Sequence, residues 1–303
     1  MYRPTATLAA IAAALALATT APAARAQRSL KVYISADMEG VAGVVTPDQL
    51  GPAGFEYQRF REFMTAEVAA AIDGAREAGA TEILVSDSHG NGLNLILERL
   101  PADVRLVRSW PRPLGMMEGI DSSFAAAVFI GYHASTANPA GVRAHTFSSA
   151  NYAGVSLNGV AIPEAGLNAA IAGYFGVPVV AISGDDVAVA EARRLIGDVE
   201  GAVVKRAISF HAAETMMPQA AQSLIRSRVK AGVARRATIR PYRLAQPVRL
   251  DLTFKNYRPA EVLAYLPIVQ RTNSHSIRYT GRTVLDVARF IEFVGEYEPG
   301  LTP

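Results

Sequence analysis

Four apolar stretches in the first two-thirds of the chain are predicted to be buried strands of one sheet. They are "LKVYIS", "TEILVSDSHG", "AAAVFIGYHA" and "PVVAISGDD". Helical stretches lie near them: "EFMTAEVAAAIDGAREAGA", with Gly79 as its C-cap, and "AGLNAAIAGYFGV", which ends at Gly176. Continuous Val/Ile runs alternating with helices predict an α/β fold with a mostly parallel sheet and helices on both faces.

The pattern changes twice further along the chain. In "YAGVSLNGVAI", Asn158-Gly159 lies between apolar residues and predicts a two-residue β-hairpin. After about residue 205 long apolar runs are absent, "VRLDLTF" alternates like a half-exposed strand, and "TVLDVARFIEFVGEY" has the pattern of an amphipathic helix. We therefore predict an α/β domain over residues 27–204 and a smaller C-terminal α+β domain over residues 205–303.

Residues 1–26 have the three parts of a secretory signal peptide. A basic start, "MYR", precedes the apolar run "LAAIAAALALATT", and small residues at Ala24 and Ala26 suit cleavage before Gln27. The apolar run is short for a membrane span, although an uncleaved anchor is the alternative. The sequence thus predicts an exported protein, periplasmic or secreted, with no membrane association after cleavage.

Composition limits the partners and the chemistry. Half of the 303 residues are hydrophobic, which excludes a disordered chain, and the net charge of +3 is spread out and does not predict nucleic-acid binding. The basic stretch Arg226–Arg243 is predicted to be a solvated face, with contact to an anionic polymer as the alternative. Because there is no cysteine, a metal site would need histidine and carboxylate ligands.

Ionisable residues follow each of the four predicted strands. In open parallel sheets, ligands bind beyond the carboxyl ends of the strands, and these ends share one edge. Each residue alone has a structural explanation, such as a turn, a helix cap or a half-buried histidine. Together they are typical of a metal site, and they are Asp37 and Glu39, then His89, then His133, then Asp185 and Asp186.

The spacing of Asp37 and Glu39 supports this interpretation. Two neighbouring carboxylates repel each other when both are charged, but a divalent cation between them reverses the sign of the interaction. Glu164, predicted for the first turn of a helix, would add a third carboxylate. His145 follows a loop after the third strand and is a candidate for proton transfer, with a surface-loop histidine as the alternative. No role is assigned to Asp185 and Asp186.

The same segments resemble the zinc-dependent D-aminopeptidase family of bacterial dipeptide-transport operons. The resemblance covers most of residues 30–190 through "SADMEGVAG", "ILVSDSHG", "MMEGID", "AVFIGYHA", "AHTF", "LNGVAIPEAGLNAAIAGYFGVPVV" and "SGDD". It implies two zinc ions per chain, with Asp37 bridging, Glu39 and His133 completing one site, and His89 and Glu164 the other. It implies His145 as the catalytic histidine, here flanked by Ala144 and Thr146 instead of the family's usual serine.

The resemblance also implies a homodecamer and short peptides with an N-terminal D-residue, typically D-alanine. We therefore expect an exported dinuclear zinc aminopeptidase that releases D-amino acids. Two alternatives stay open at this stage. A dinuclear phosphoesterase would need a basic group near the metals, for which Arg143 is the candidate. A non-catalytic solute-binding protein of similar length would bind its ligand without metal.

Overall fold

The computed structural model of the chain describes residues 1–2 and 29–297. Its strands are β1 (Lys31–Ala36), β2 (Glu82–Asp87), β3 (Arg105–Val107), β4 (Ala126–Tyr132), β5 (Tyr152–Leu157), β6 (Val160–Ala161), β7 (Val179–Asp185), β8 (Glu200–Ser209), β9 (Ala212–Thr215), β10 (Val248–Phe254), β11 (Val269–Arg271) and β12 (Ser276–Gly281). Its helices are α1 (Tyr57–Glu77), α2 (Glu164–Tyr174), α3 (Asp186–Ile196), α4 (Pro218–Ala234), α5 (Tyr257–Leu263) and α6 (Val284–Glu296). The predicted signal peptide lies, apart from its first two residues, outside the described residues.

The first sheet has seven strands in the order β3-β2-β1-β4-β7-β8-β9. All neighbours are parallel except β9, which pairs antiparallel with β8. The four predicted strands are β1, β2, β4 and β7, and they form the middle of this sheet. A mostly parallel α/β sheet is therefore confirmed.

Helices cover both faces of the first sheet. On β1, Val32 and Ile34 belong to the core that contains α1 and α4, whereas Tyr33 points to the opposite core with α2, α3 and α6. Both sets are buried, which explains why the strand sequences show continuous apolar runs rather than alternation.

The second sheet is antiparallel, with the order β11-β12-β10-β5-β6. β10 alternates as predicted, with Val248, Leu250 and Leu252 buried in the core shared with α6. The turn between β5 and β6 places Asn158 at φ 51° and Gly159 at φ 87°, so the predicted two-residue hairpin is confirmed.

Each of the two sheets contains strands from both of the predicted domains. Residue 205 lies inside β8. Beyond it, β9 extends the first sheet and α4 packs against β7 and β8. Conversely, β5 and β6, which precede residue 205, belong to the second sheet. The change of pattern near residue 205 therefore reflects an edge hairpin of the first sheet. The division into residues 27–204 and 205–303 stays a prediction.

The basic stretch Arg226–Arg243 lies on α4 and the segment after it. Arg226 and Lys230 form ion pairs with Glu77, and Arg235 contacts Glu200 at 2.8 Å. These contacts fit a solvated, ion-paired face. Across the described residues, no helix is both long and apolar enough to cross a bilayer.

Candidate metal centre

The polar residues predicted to cluster lie at one edge of the first sheet. Asp37 directly follows β1, Glu39 comes two residues later, and His133 directly follows β4. His89 comes two residues after β2, and Glu164 is the first residue of α2. Since β2, β1 and β4 are adjacent and parallel, their carboxyl ends lie side by side and bring these residues together.

These five side chains approach to contact distance. His89 Nδ1 lies 2.9 Å from Glu39 Oε2 and 3.2 Å from Asp37 Oδ1. His133 Nε2 lies 3.3 Å from Asp37 Oδ2 and 3.4 Å from Glu164 Oε1. The five are buried, and the most exposed, His89, is 8% exposed. Asp37 therefore stands between a His89–Glu39 pair and a His133–Glu164 pair.

Backbone contacts between β1 and β4 fix the first two acids. The amide of Asp37 donates to the Ile130 carbonyl at 2.8 Å, and that of Gly40 donates to the Gly131 carbonyl at 2.6 Å. A Cβ on Gly40 would lie 2.1 Å from the Tyr132 carbonyl oxygen, so only glycine allows this approach. Gly40, next to Glu39, thus holds the acidic loop against β4.

Each of the three histidines at the site directs one ring nitrogen at the carboxylates and the other at a main-chain carbonyl. The carbonyl partners lie 2.7–3.0 Å away, and they are Leu50 for His89 Nε2, Ala134 for His133 Nδ1 and Arg143 for His145 Nδ1. A carbonyl only accepts, so the nitrogen beside it carries the hydrogen. In the neutral ring the nitrogen facing the carboxylates then presents a lone pair, as a metal ligand does.

Buried polar atoms without partners mark the middle of the cluster. Although other atoms of the cluster lie close to them, Asp37 Oδ2, Glu39 Oε2 and His133 Nε2 make no hydrogen bond with favourable geometry. Burial and the neighbouring charge of Glu39 raise the pKa of Asp37. Burial alone would lower the pKa of His133, but the Glu164 and Asp37 carboxylates outweigh it and raise that pKa well above its ordinary value. The cluster thus requires positive charge at its centre.

A divalent cation fits this donor set. Ligand atoms of Asp37, Glu39 and His133 lie within 4.8 Å of one another, and so do those of His133, His145 and Glu164. Nitrogen and carboxylate donors of this kind suit zinc. The group of Asp37, Glu39 and His133 matches one of the two sites that the resemblance implies, and the pairing of the ligands stays a prediction.

His145 stands beside this cluster at its more open side. Its ring stacks on that of His133 with centroids 4.0 Å apart, and its Nε2 lies 3.7 Å from Glu164 Oε1 and 4.0 Å from Glu39 Oε1. The neighbouring loop is fixed because Thr146 Oγ1 donates to the Ile162 carbonyl at 3.0 Å. His145 is therefore positioned to exchange a proton with a group bound at the centre.

A cavity of about 430 Å³ opens from the cluster. Asp37, Glu39, His89, His145 and Glu164 line one end of it. The other walls include Met116 and Asn168, from segments that carry the resemblance, and Trp110, Glu292 and Glu296, which the sequence did not link to the site. Among the described residues no lysine or arginine lines the cavity. Its charge pattern favours a cationic group over an anionic one.

Asp185, Asp186 and Arg143 lie outside this cavity lining. Asp185 caps α3 by accepting the Ala188 amide at 2.7 Å and also accepts the Val142 amide at 2.8 Å. Asp186 accepts the Ala207 amide at 2.9 Å. Asp185 thus connects the start of α3 to the loop before His145, and Asp186 connects α3 to β8. Arg143 lies over the Phe210 ring, with its guanidinium carbon 4.8 Å from the ring centroid.

Buried nitrogen and carboxylate ligands beside an accessible cavity place the protein among the metal-dependent hydrolases. Comparison with known proteins narrows the class further. The model of peptidase family M55, described as D-aminopeptidase, matches residues 30–293. The chain belongs to this family. The resemblance to zinc-dependent D-aminopeptidases and the prediction of a metallopeptidase are therefore confirmed, and a non-catalytic binding protein is excluded.

A sequence comparison and a structure comparison, both with D-aminopeptidase from Bacillus subtilis, support the assignment. A D-aminopeptidase from strain 168 is 34% identical over 262 residues, which cover 85% of this chain and 93% of the relative. The solved structure of the Zn-dependent D-aminopeptidase DppA, described as a self-compartmentalizing protease, superposes with a TM-score of 0.85. That comparison has 32% sequence identity and covers 88% of this chain and 97% of DppA. The fold expected from the sequence is thereby confirmed.

Proposed function

We propose that the protein is an exported dinuclear zinc aminopeptidase that releases N-terminal D-amino acids, D-alanine foremost, from short peptides. Family membership supports the reaction class. The observation that carries the proposal is the convergence of five buried ligands, with Asp37 between two carboxylate–histidine pairs. Such an arrangement suits two ions that share one carboxylate.

In this proposal Asp37 would bridge the two ions. Glu39 and His133 would complete one site, and His89 and Glu164 the other, as the resemblance implies; the closeness of ligand atoms of Asp37, Glu39 and His133 supports this pairing. When bound, zinc supplies Lewis acidity for the scissile carbonyl and acidifies the attacking water.

The residues around the centre then have distinct tasks. His145 takes a proton from the attacking water and delivers one to the leaving amine, because its Nε2 faces the centre while its Nδ1 is held by the Arg143 carbonyl. The walls formed by Trp110 and Met116 limit access of bulk water. The acids Glu292 and Glu296 favour the ammonium group of a peptide in the cavity.

Export and assembly extend the proposal. The signal-like segment at residues 1–26 supports export to the periplasm or the medium, where D-alanyl peptides from cell-wall turnover occur. The description of DppA as self-compartmentalizing supports a homo-oligomer, and the resemblance suggests a decamer. N-terminal sequencing of the exported protein checks cleavage after Ala26, and sedimentation velocity checks the number of subunits.

The central test combines metal analysis with a peptide panel. Purified protein should hold two zinc equivalents per chain, lose activity in chelator and release D-alanine from D-Ala-D-Ala but not L-alanine from L-Ala-L-Ala. Asp37→Asn should lower kcat/KM by roughly a thousandfold or more. Asp48→Asn, at an exposed position nearby, is the matched control and should behave like the wild type.

The same assay addresses the phosphoesterase alternative. The cavity lining lacks a lysine or arginine among the described residues, and Arg143 lies over the Phe210 ring outside that lining, so the cavity offers a phosphate ester no cationic side chain of this kind. Turnover of a phenyl phosphate ester at a rate above that of D-Ala-D-Ala would contradict the proposed peptidase. Preference for the L-dipeptide would refute the D-specificity.

A further inference from the structure

Lys205 is a buried lysine whose ammonium group is surrounded by main-chain oxygens. It lies in β8 and is 2% exposed. Its Nζ donates to the carbonyls of Glu39 at 2.5 Å, Val44 at 2.6 Å and Val41 at 3.1 Å. An ammonium has three N–H donors, so these three carbonyls satisfy it completely.

These carbonyls belong to one short loop, residues 38–44, which follows β1 and carries Glu39. The loop bends around the ammonium, so that carbonyls separated along the chain point at one atom. A bound alkali cation would organise a loop in the same way, but here the cation is part of β8. The loop conformation therefore depends on a charge supplied by a distant strand.

Other contacts hold the amides of the same loop. The Ala42 amide donates to Glu67 Oε1 at 2.9 Å, and the Gly43 amide donates to Thr215 Oγ1 at 2.8 Å. Lys205 thus binds the carbonyl groups of the loop, whereas Glu67 and Thr215 bind its amides. Burying an ammonium is costly, and burial lowers the pKa of Lys205 to about 8. The charges of Asp185 and Glu67 partly offset that cost.

The link to the metal centre is direct. The residue whose carbonyl receives the shortest of the three bonds, Glu39, also directs its carboxylate at His89. The other side of this residue is fixed by Gly40 against β4. Main-chain contacts on both sides therefore determine where the Glu39 carboxylate lies.

We propose that Lys205 is a positioning residue for the metal centre: its ammonium fixes the loop of residues 38–44 so that the Glu39 carboxylate is held ready to bind a metal ion. This inference rests on the proposed dinuclear function. It predicts a thermodynamic coupling between Lys205 and zinc, whereas a merely structural lysine would stabilise the zinc-free and zinc-loaded protein equally.

The test measures zinc affinity by chelator competition and Tm with and without zinc, for the full chain and for Lys205→Ala. The variant should bind one of the two zinc ions about 10–100-fold less tightly, and zinc should raise its Tm less than that of the wild type. Lys230→Ala, at an exposed position on α4, is the matched control and should bind zinc like the wild type.

Chemical rescue separates the charge from the space that it fills. n-Propylammonium has the heavy atoms that Lys205→Ala removes, so it should restore zinc affinity to within a few-fold of the wild type, whereas 1-propanol should not. If Lys205→Ala does not fold, the same measurements are made on Lys205→Gln, which keeps two donors and should bind zinc with intermediate affinity.

Three outcomes would overturn the inference. One is a folded variant with unchanged zinc affinity, the second is an equal loss of Tm in the zinc-free and zinc-loaded states, and the third is equal rescue by 1-propanol. Failure of the wild type to bind zinc would instead overturn the proposed function, and this inference with it.

Discussion

Glu67 offers a quantitative test of the electrostatics beneath the acidic loop. It lies on α1 and is 1% exposed, and its Oε2 has no hydrogen-bond partner. Burial raises its pKa from 4.5 to about 7, although the Ala42 amide and Lys205 act in the opposite direction. This change corresponds to ~3 kcal/mol between the two protonation states.

The sign follows from proton binding. Between about pH 4.5 and 7 the folded state keeps the proton on Glu67 while the unfolded state loses it, so the free energy of unfolding falls as the pH rises. The contribution is fully present below pH 4.5 and is lost above about pH 7. Glu67→Gln keeps the acceptor for Ala42 and cannot ionise. It should therefore gain stability relative to the wild type by up to ~3 kcal/mol between pH 5 and 8.

Urea unfolding of the zinc-free protein at pH 5, 6, 7 and 8 measures this difference. Both proteins share the other titrating groups, so these cancel when the wild type is subtracted; the exception is Lys205, which interacts with Glu67 and has a pKa of about 8, and it adds to the difference only at the upper end of this range. Glu62→Gln, on the exposed face of the same helix, is the matched control and should change the free energy of unfolding by less than ~0.5 kcal/mol at each pH. A Glu67→Gln effect that is the same at pH 5 and pH 8 would refute the reasoning.

Three further predictions concern the site. Gly40→Ala should lower kcat/KM about a hundredfold because its Cβ would meet the Tyr132 carbonyl, whereas Gly51→Ala, with open space around it, should leave peptide hydrolysis unchanged. Zinc added to stripped protein should raise Tm by roughly 5 °C or more in the wild type and not in Asp37→Asn, as scanning calorimetry checks. Burial raises the pKa of Glu292 to about 7, so its carboxylate becomes charged between pH 6 and 8 and should then attract the substrate ammonium. KM for a D-alanyl dipeptide should therefore fall roughly threefold more over this range in the wild type than in Glu292→Gln. Equal pH profiles would contradict this prediction.

The middle of the first sheet and the candidate metal ligands could be predicted from the sequence for one physical reason. Strands buried on both faces leave long apolar runs, and parallel strands end at the same edge. Once β1, β2 and β4 were recognised, Asp37, His89 and His133 had to be near one another. His145 joined them through its place on the loop after the third predicted strand, and Glu164 through its place in the first turn of a helix; the resemblance implied their roles.

The remaining features depend on tertiary contacts that leave no local pattern. Lys205 lies one residue from exposed Arg206, and nothing in "VVKRA" marks it as the buried one of the two. The contacts between the ligands depend on the directions of their side chains, which is why the sequence alone did not place His89 beside Glu39 and His133 beside Glu164. Short edge strands such as β3 and β11, each of three residues, carry too little periodicity to be predicted.

The residues that line the cavity come from distant parts of the chain. Every candidate ligand precedes α2 or begins it, whereas Glu292 and Glu296 come from α6 at the other end of the described chain. The candidate ligands and the two acids proposed to attract the substrate ammonium are thus encoded in separate stretches of the gene. Exchange of the last helix between homologues should therefore redirect peptide choice while leaving the hydrolytic apparatus intact.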